Sequence, residues 1–101
     1  MEPTYEAVLA DPARAFLLSQ TSVARERIGR LICIIELDPF IDGRIKFALK
    51  VGGEMFTVYD HPEYWIQYHM VDNAKILIDL ITPSRLDRDY RPPTLPPNLK
   101  L

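Results

Sequence analysis

The chain has 101 residues, enough for one domain with one hydrophobic core and too few for two. Hydrophobic residues make up 48% of it, which predicts a packed globular protein rather than a disordered chain. The formal net charge of −2 argues against a broad basic surface that wraps nucleic acid, although it leaves room for a local basic patch.

Targeting and cofactor signals are missing from the sequence. The N-terminus has no basic region followed by an apolar one, and no apolar run approaches the roughly 20 residues that span a bilayer. The single cysteine, Cys33, cannot form an internal disulfide, and its apolar neighbours predict a buried thiol in a reducing compartment. The two histidines have no cysteine or carboxylate at ligand spacing. We therefore expect a cytoplasmic protein with no membrane association, no metal and no cofactor.

The first part of the chain predicts one short strand and two helices. Residues 4–9 favour a strand, and Asp11 is placed to cap a helix that runs from Pro12 to about Gln20. Thr21 and Ser22 follow as a break and a second N-cap. The next helix covers residues 23–37, with apolar residues at three-and-four spacing (Ile28, Leu31, Ile32 and Ile35). Its last residues, LICIIEL, would also suit a strand, but the length and charged first half of the segment favour a helix that ends at Asp38-Pro39.

The second part predicts an antiparallel meander. A strand over residues 44–50 is followed by Gly52-Gly53, which suits a hairpin, and three strands then lie within residues 54–82, joined by turns at 60–63 and 72–73. Alternation puts Tyr64, Ile66 and Tyr68 on one face of the middle strand, with Trp65, Gln67 and His69 on the other.

The predicted fold class is α+β. Two N-terminal helices pack on one face of a four- to five-stranded antiparallel sheet, because one face of such a sheet needs a cover. Residues 1–91 form this single domain, and residues 92–101, with four prolines, form an extended or disordered tail. The other face is expected to be open.

The order strand, helix, helix and antiparallel meander resembles the toxins of the RelE/ParE superfamily, which belong to type II toxin–antitoxin modules. The resemblance covers about the first nine-tenths of the chain and is strongest across residues 60–85. The segment from Glu63 to Tyr68 (EYWIQY) is similar to the family's Tyr-Arg-aliphatic-aliphatic-Tyr signature, residues 72–81 are similar to its last strand, and residues 82–85 (TPSR) stand where its Val-Gly-His-Arg stretch lies. Two features depart from the pattern. Trp65 replaces the signature arginine, and residues 54–59 contain none of the lysines of ribosome-dependent members.

The resemblance implies a set of site residues. In metal-free RNA cleavage, Arg85 is the retained candidate to stabilise the negative charge of the phosphorane. Tyr90 or His61 is the candidate for proton transfer. Lys46 and Lys50, on one face of their strand, are candidates for added positive charge. Trp65, Gln67 and His69 are expected to line the open face, where relatives hold messenger RNA and where an aromatic ring can stack on a base or anchor a protein. Each has a structural alternative, such as turn capping for His61 and ion pairing with neighbouring aspartates for Arg85.

Two functions follow from the resemblance. The first is a toxin that is neutralised by an antitoxin protein and acts either on translation, as a metal-independent endoribonuclease at the ribosome, or on DNA gyrase. The second is a non-catalytic protein-binding module that keeps the scaffold without the nuclease residues.

Overall fold

The computed structural model of the protein describes residues 5–43 and 45–84. Arg85, Tyr90 and the predicted tail lie outside these residues. The elements follow one another as β1 (Glu6–Leu9), α1 (Asp11–Leu18), α2 (Ser22–Leu37), β2 (Lys46–Val51), β3 (Glu54–Asp60), β4 (Tyr64–Met70) and β5 (Lys75–Pro83). The predicted helical identity of α2 is confirmed.

The two helices begin in different ways. Ala10, not Asp11, is the N-cap residue of α1, and no side chain caps that helix. Asp11 instead supplies a carboxylate in the first turn, where the helix dipole favours negative charge. The helix α2 begins as predicted, because the Thr21 hydroxyl accepts a hydrogen bond from the Ala24 N–H at 3.1 Å.

The strands form one five-stranded sheet in the order β1-β5-β4-β3-β2. The pairs β2–β3, β3–β4 and β4–β5 are antiparallel, as expected of a meander, whereas β1 pairs parallel to β5. The sheet is therefore mixed and mostly antiparallel. On β1, the Ala7 N–H donates to the Glu36 carboxylate of α2 at 2.8 Å, which ties the short strand to the helix.

The hydrophobic core lies between the helices and one face of the sheet, which we name the inner face. Tyr64 contacts Phe16 of α1 edge to face, and the Tyr68 hydroxyl donates to the Pro39 carbonyl at 2.7 Å, just after α2. Helix and strand residues share one buried cluster: Ala13, Ile28, Leu31, Ile35, Tyr59, Ile66, Tyr68, Ile76, Ile78 and Ile81. The helices therefore cover the face that was predicted from alternation.

Cys33 is exposed, so the prediction of a buried thiol is wrong. The helix α2 buries Ile28, Leu31 and Ile35, which share one stripe at three-and-four spacing. Cys33 is five residues beyond Ile28, a rotation of about 140° from it, and so lies off that stripe.

Candidate functional site

The opposite side of the sheet, which we name the outer face, carries one row of side chains that crosses all five strands. Pairing places Val8 beside Leu77, and Leu77 beside His69. The His69 ring contacts Phe56 with ring centroids 5.5 Å apart, and Phe56 pairs with Leu49 of β2. We name these five residues the outer row. Val8 is exposed and the other four are half-buried, so the row is accessible to a partner.

A β-bulge brings a carboxylate into the middle of this row. Gln67 pairs with Leu80 while Tyr68 pairs with Ile78, so Asp79 is an extra residue in β5. The bulge turns Asp79 towards His69, whose Nδ1 lies 2.8 Å from the Asp79 Oδ2. This contact orients the imidazole and leaves its Nε2 for another interaction.

The environment of Asp79 disfavours its charged form. Burial raises the pKa of Asp79, the hydrogen bond and the charge of His69 lower it, and the nearby charge of Glu54 raises it again, with a net increase above the usual value. Asp79 is therefore a carboxylate that gains from a nearby cation. His69 was predicted as a site residue, but Asp79 and Phe56 were not.

Trp65 and Gln67 point to the outer face as predicted, but they are not exposed. Their exposed fractions are 3% and 5%, so the expectation that they line an open surface is wrong. Two buried polar atoms on this part of the face, the Gln67 Oε1 and the Thr82 Oγ1, have no hydrogen-bond partner within the described residues. Trp65 is therefore not an accessible stacking platform for a base in this structure. Of the three predicted residues, His69 alone is partly accessible.

The two predicted lysines lie on the wrong side of the sheet for a site with His69. Lys46 pairs with Tyr59 and lies on the inner face, where it is only 4% exposed. Its Nζ is 3.8 Å from the Asp38 Oδ2 and 5.9 Å from the centre of the Tyr59 ring. Lys50 has the same orientation as Lys46 but is exposed. Lys46 is therefore packed on the inner face beside the Asp38 carboxylate, and a role of Lys46 or Lys50 in supplying positive charge to a site stays a prediction.

His61 has a structural contact in the turn between β3 and β4. Its Nδ1 accepts a hydrogen bond from the Glu63 N–H at 3.0 Å, and its ring lies edge-on to Tyr59 with the centroids 5.9 Å apart. These contacts match the turn-capping alternative. A catalytic role for His61 stays a prediction, as do the roles of Arg85 and Tyr90.

The outer face is acidic over the part of the chain that the structure describes. Alternation and pairing assign it four carboxylates (Glu6, Glu54, Asp60 and Asp79) and one lysine, Lys75, which is beside Glu6. A surface of this charge repels the phosphates of a nucleic acid and attracts cations.

Neither a metal site nor a membrane span is found in residues 5–43 and 45–84. These residues contain no group of three or more His, Cys, Asp or Glu side chains that could hold a metal ion. None of the helices among them is long and apolar enough to cross a membrane.

The sequence matches no family model and no curated protein. The fold, in contrast, has a solved counterpart. A chain from the crystal structure of the archaeal RelE–RelB complex of Pyrococcus horikoshii OT3 superposes with a TM-score of 0.61 and 18% sequence identity. The match covers 79% of this chain and 94% of that chain. The α+β architecture predicted from the sequence is thus confirmed, and the protein has a RelE-like fold.

Proposed function

We propose that this protein is the toxin component of a toxin–antitoxin pair and is neutralised by a partner protein. The observation that carries the proposal is the likeness of its fold to a chain that was crystallised in a RelE–RelB complex, over 79% of the present chain. A shared fold does not fix an activity, so the proposal needs support from the surface of this chain.

The outer face favours a protein target over messenger RNA. Its carboxylates outnumber its lysine among the described residues, Trp65 is buried, and Lys46 is engaged on the inner face. Cleavage of RNA would need cations close to the scissile phosphate. We therefore favour a toxin that inhibits a protein such as DNA gyrase over a ribosome-dependent endoribonuclease.

Expression in a bacterial host tests this function. Induction of the chain alone should arrest growth, and coexpression of a short neighbouring reading frame should restore it. Growth at the normal rate after induction, with the protein present in the soluble fraction, would contradict the proposal.

The mode of action is tested in the same cells. A protein target predicts intact messenger RNA by primer extension and full toxicity in Arg85→Ala, Tyr90→Phe and His61→Ala variants. Cleaved messages, with toxicity lost in Arg85→Ala and Tyr90→Phe, would instead support the endoribonuclease.

A non-catalytic binding module is the second candidate. It is favoured by the contacts of two candidate site residues. His61 holds a turn through the Glu63 N–H, and Lys46 lies on the inner face beside the Asp38 carboxylate. This module predicts normal growth together with formation of a stable complex with the neighbouring gene product. Growth arrest would exclude it.

A further inference from the structure

The exposed side of α2 carries a second set of apolar side chains, apart from those in the core. Val23, Ile34 and Leu37 are 60%, 43% and 50% exposed. With Glu26 and Arg30 they follow one another at spacings of three, four, four and three residues, which places all five on one side of the helix. We name these five residues the helix stripe. Apolar residues that share one side of a helix form a patch, and exposed patches of this kind mark contact surfaces.

The middle of the helix stripe is an ion pair with a useful symmetry. Arg30 Nη2 contacts Glu26 Oε1 one turn away, and the two side chains are 71% and 66% exposed. An identical helix that runs in the opposite direction places its Arg30 beside this Glu26 and its Glu26 beside this Arg30. Opposite charges then face each other twice across the contact, whereas an aligned parallel copy would bring like charges together. The charges of the helix stripe therefore complement a second copy of the same helix.

The same antiparallel alignment brings the apolar ends together. Its twofold axis lies level with residue 28, midway between Glu26 and Arg30. Val23 is five residues before that level and Ile34 is six residues after it, so Val23 of one copy meets Ile34 of the other to within about 1.5 Å along the helix. Leu37 reaches the level of residue 19 of the other copy, one residue from Leu18, which is 64% exposed. One alignment thus satisfies both the charged and the apolar residues.

We propose that two copies of the chain associate through the helix stripe, as an antiparallel pair of α2 helices related by a twofold axis. Such a contact is closed, because the same surface is used by both copies. The inference goes beyond the proposed function, since it uses the helical layer and leaves the outer face of each copy open. The 16 residues of α2 span about 24 Å, so the contact is smaller than the roughly 800 Å² per partner of a standard interface and the dimer is weak.

Sedimentation of the full-length protein in reducing buffer tests the association. We expect monomer at about 5 μM and mostly dimer at about 500 μM, as suits a small interface. A chain that stays monomeric at about 500 μM would overturn the proposal. That result is also the one expected if a different protein, and not a second copy, occupies the helix stripe.

Exchanged charges test the alignment. Glu26→Arg and Arg30→Glu should each prevent the dimer, because like charges then face each other across the contact. An equal mixture of the two variants should associate again, since one copy now carries two positive charges and the other two negative charges. Arg25→Glu is the control, because Arg25 is exposed on α2 but lies outside the helix stripe and should leave the dimer intact. Dimers in both single variants, or no association in the mixture, would contradict the alignment and overturn the proposal.

A matched pair of variants tests the apolar contact. Ile34→Ser should weaken the dimer at least about tenfold, because the twofold axis makes each substitution count twice. Met55→Ser changes a side chain on β3 that is 58% exposed, and should leave the dimer unchanged. Equal weakening by the two substitutions would overturn the assignment to α2.

Thiol crosslinking tests the geometry independently of affinity. In a Cys33→Ser background, Val23→Cys and Ile34→Cys introduce thiols 11 residues apart, about 16 Å along one helix and too far for a short bifunctional reagent within one chain. The double variant should give a covalent dimer, because position 23 of one copy meets position 34 of the other. Each single variant should not, since equivalent positions lie about 15 Å or more apart in this alignment. Dimers from the single variants, or none from the double variant, would overturn the proposal.

Discussion

Replacing Tyr68 with phenylalanine removes one hydrogen bond and leaves the packing of the ring intact. The Tyr68 hydroxyl is buried and donates to the Pro39 carbonyl at 2.7 Å, which joins β4 to the loop that follows α2. The variant leaves that carbonyl without its donor, at a cost of about 1–3 kcal/mol. We expect the free energy of unfolding at pH 7 to decrease by about 2 kcal/mol, and the Tm by roughly 10 °C.

The same substitution changes the alkaline limb of the stability curve. Burial, with the nearby charges of Asp38 and Asp42, raises the pKa of Tyr68. In the unfolded chain the Tyr68 hydroxyl ionises near pH 10, whereas in the folded protein the same hydroxyl keeps its proton at that pH. Stability from this group is therefore complete below pH 10 and is lost as the pH increases further. The Tyr68→Phe variant lacks this group, so its stability should decrease less steeply between pH 9 and 11.

Urea unfolding, followed by the fluorescence of the single tryptophan, measures both effects. Tyr64→Phe is the control, because Tyr64 is a half-buried tyrosine on the same face of β4 and should change stability by less than about 0.5 kcal/mol. Equal stability of Tyr68→Phe and wild type at pH 7, with parallel alkaline limbs, would refute the role assigned to this hydrogen bond.

Three further substitutions test local contacts. Thr21→Ala removes the hydroxyl that accepts from the Ala24 N–H, and should lower the free energy of unfolding by about 1 kcal/mol in urea titrations. Glu36→Ala removes the acceptor of the Ala7 N–H and should speed the exchange of that amide hydrogen with solvent. Glu36→Gln keeps an acceptor oxygen and should preserve the protection of the Ala7 amide. The pKa of Asp79 is raised in the folded protein, so the protonated carboxyl favours folding. This stabilisation is lost as the pH increases through the folded-state pKa of Asp79. Asp79→Asn should therefore be more stable than wild type at pH 7 but not at pH 3; greater stability at pH 3 alone would contradict that sign.

Patterning along the sequence is sufficient to predict the sheet and its cover. The alternation in β4 correctly assigns Tyr68 to the inner face and His69 to the outer face, because successive strand side chains point to opposite sides. Thr21 marks the start of α2 for a similarly local reason, since the cap needs only the next turn of the helix.

Burial depends on contacts that are distant in the sequence, and there the predictions fail. Lys46 alternates with apolar residues and was predicted as a source of positive charge, but it lies buried on the inner face beside Asp38. Trp65 has the predicted orientation and is nevertheless buried. The bulge at Asp79 was also missed, because it interrupts the period of two by one residue and thereby creates the contact with His69.

We propose that this RelE-like scaffold acts as a toxin under the control of a partner protein. The most direct measurement is the growth of a bacterial culture after induction of the full-length chain, with and without the neighbouring reading frame. We expect arrest with the chain alone and recovery when both are expressed. Undiminished growth in the presence of soluble protein would contradict the claim.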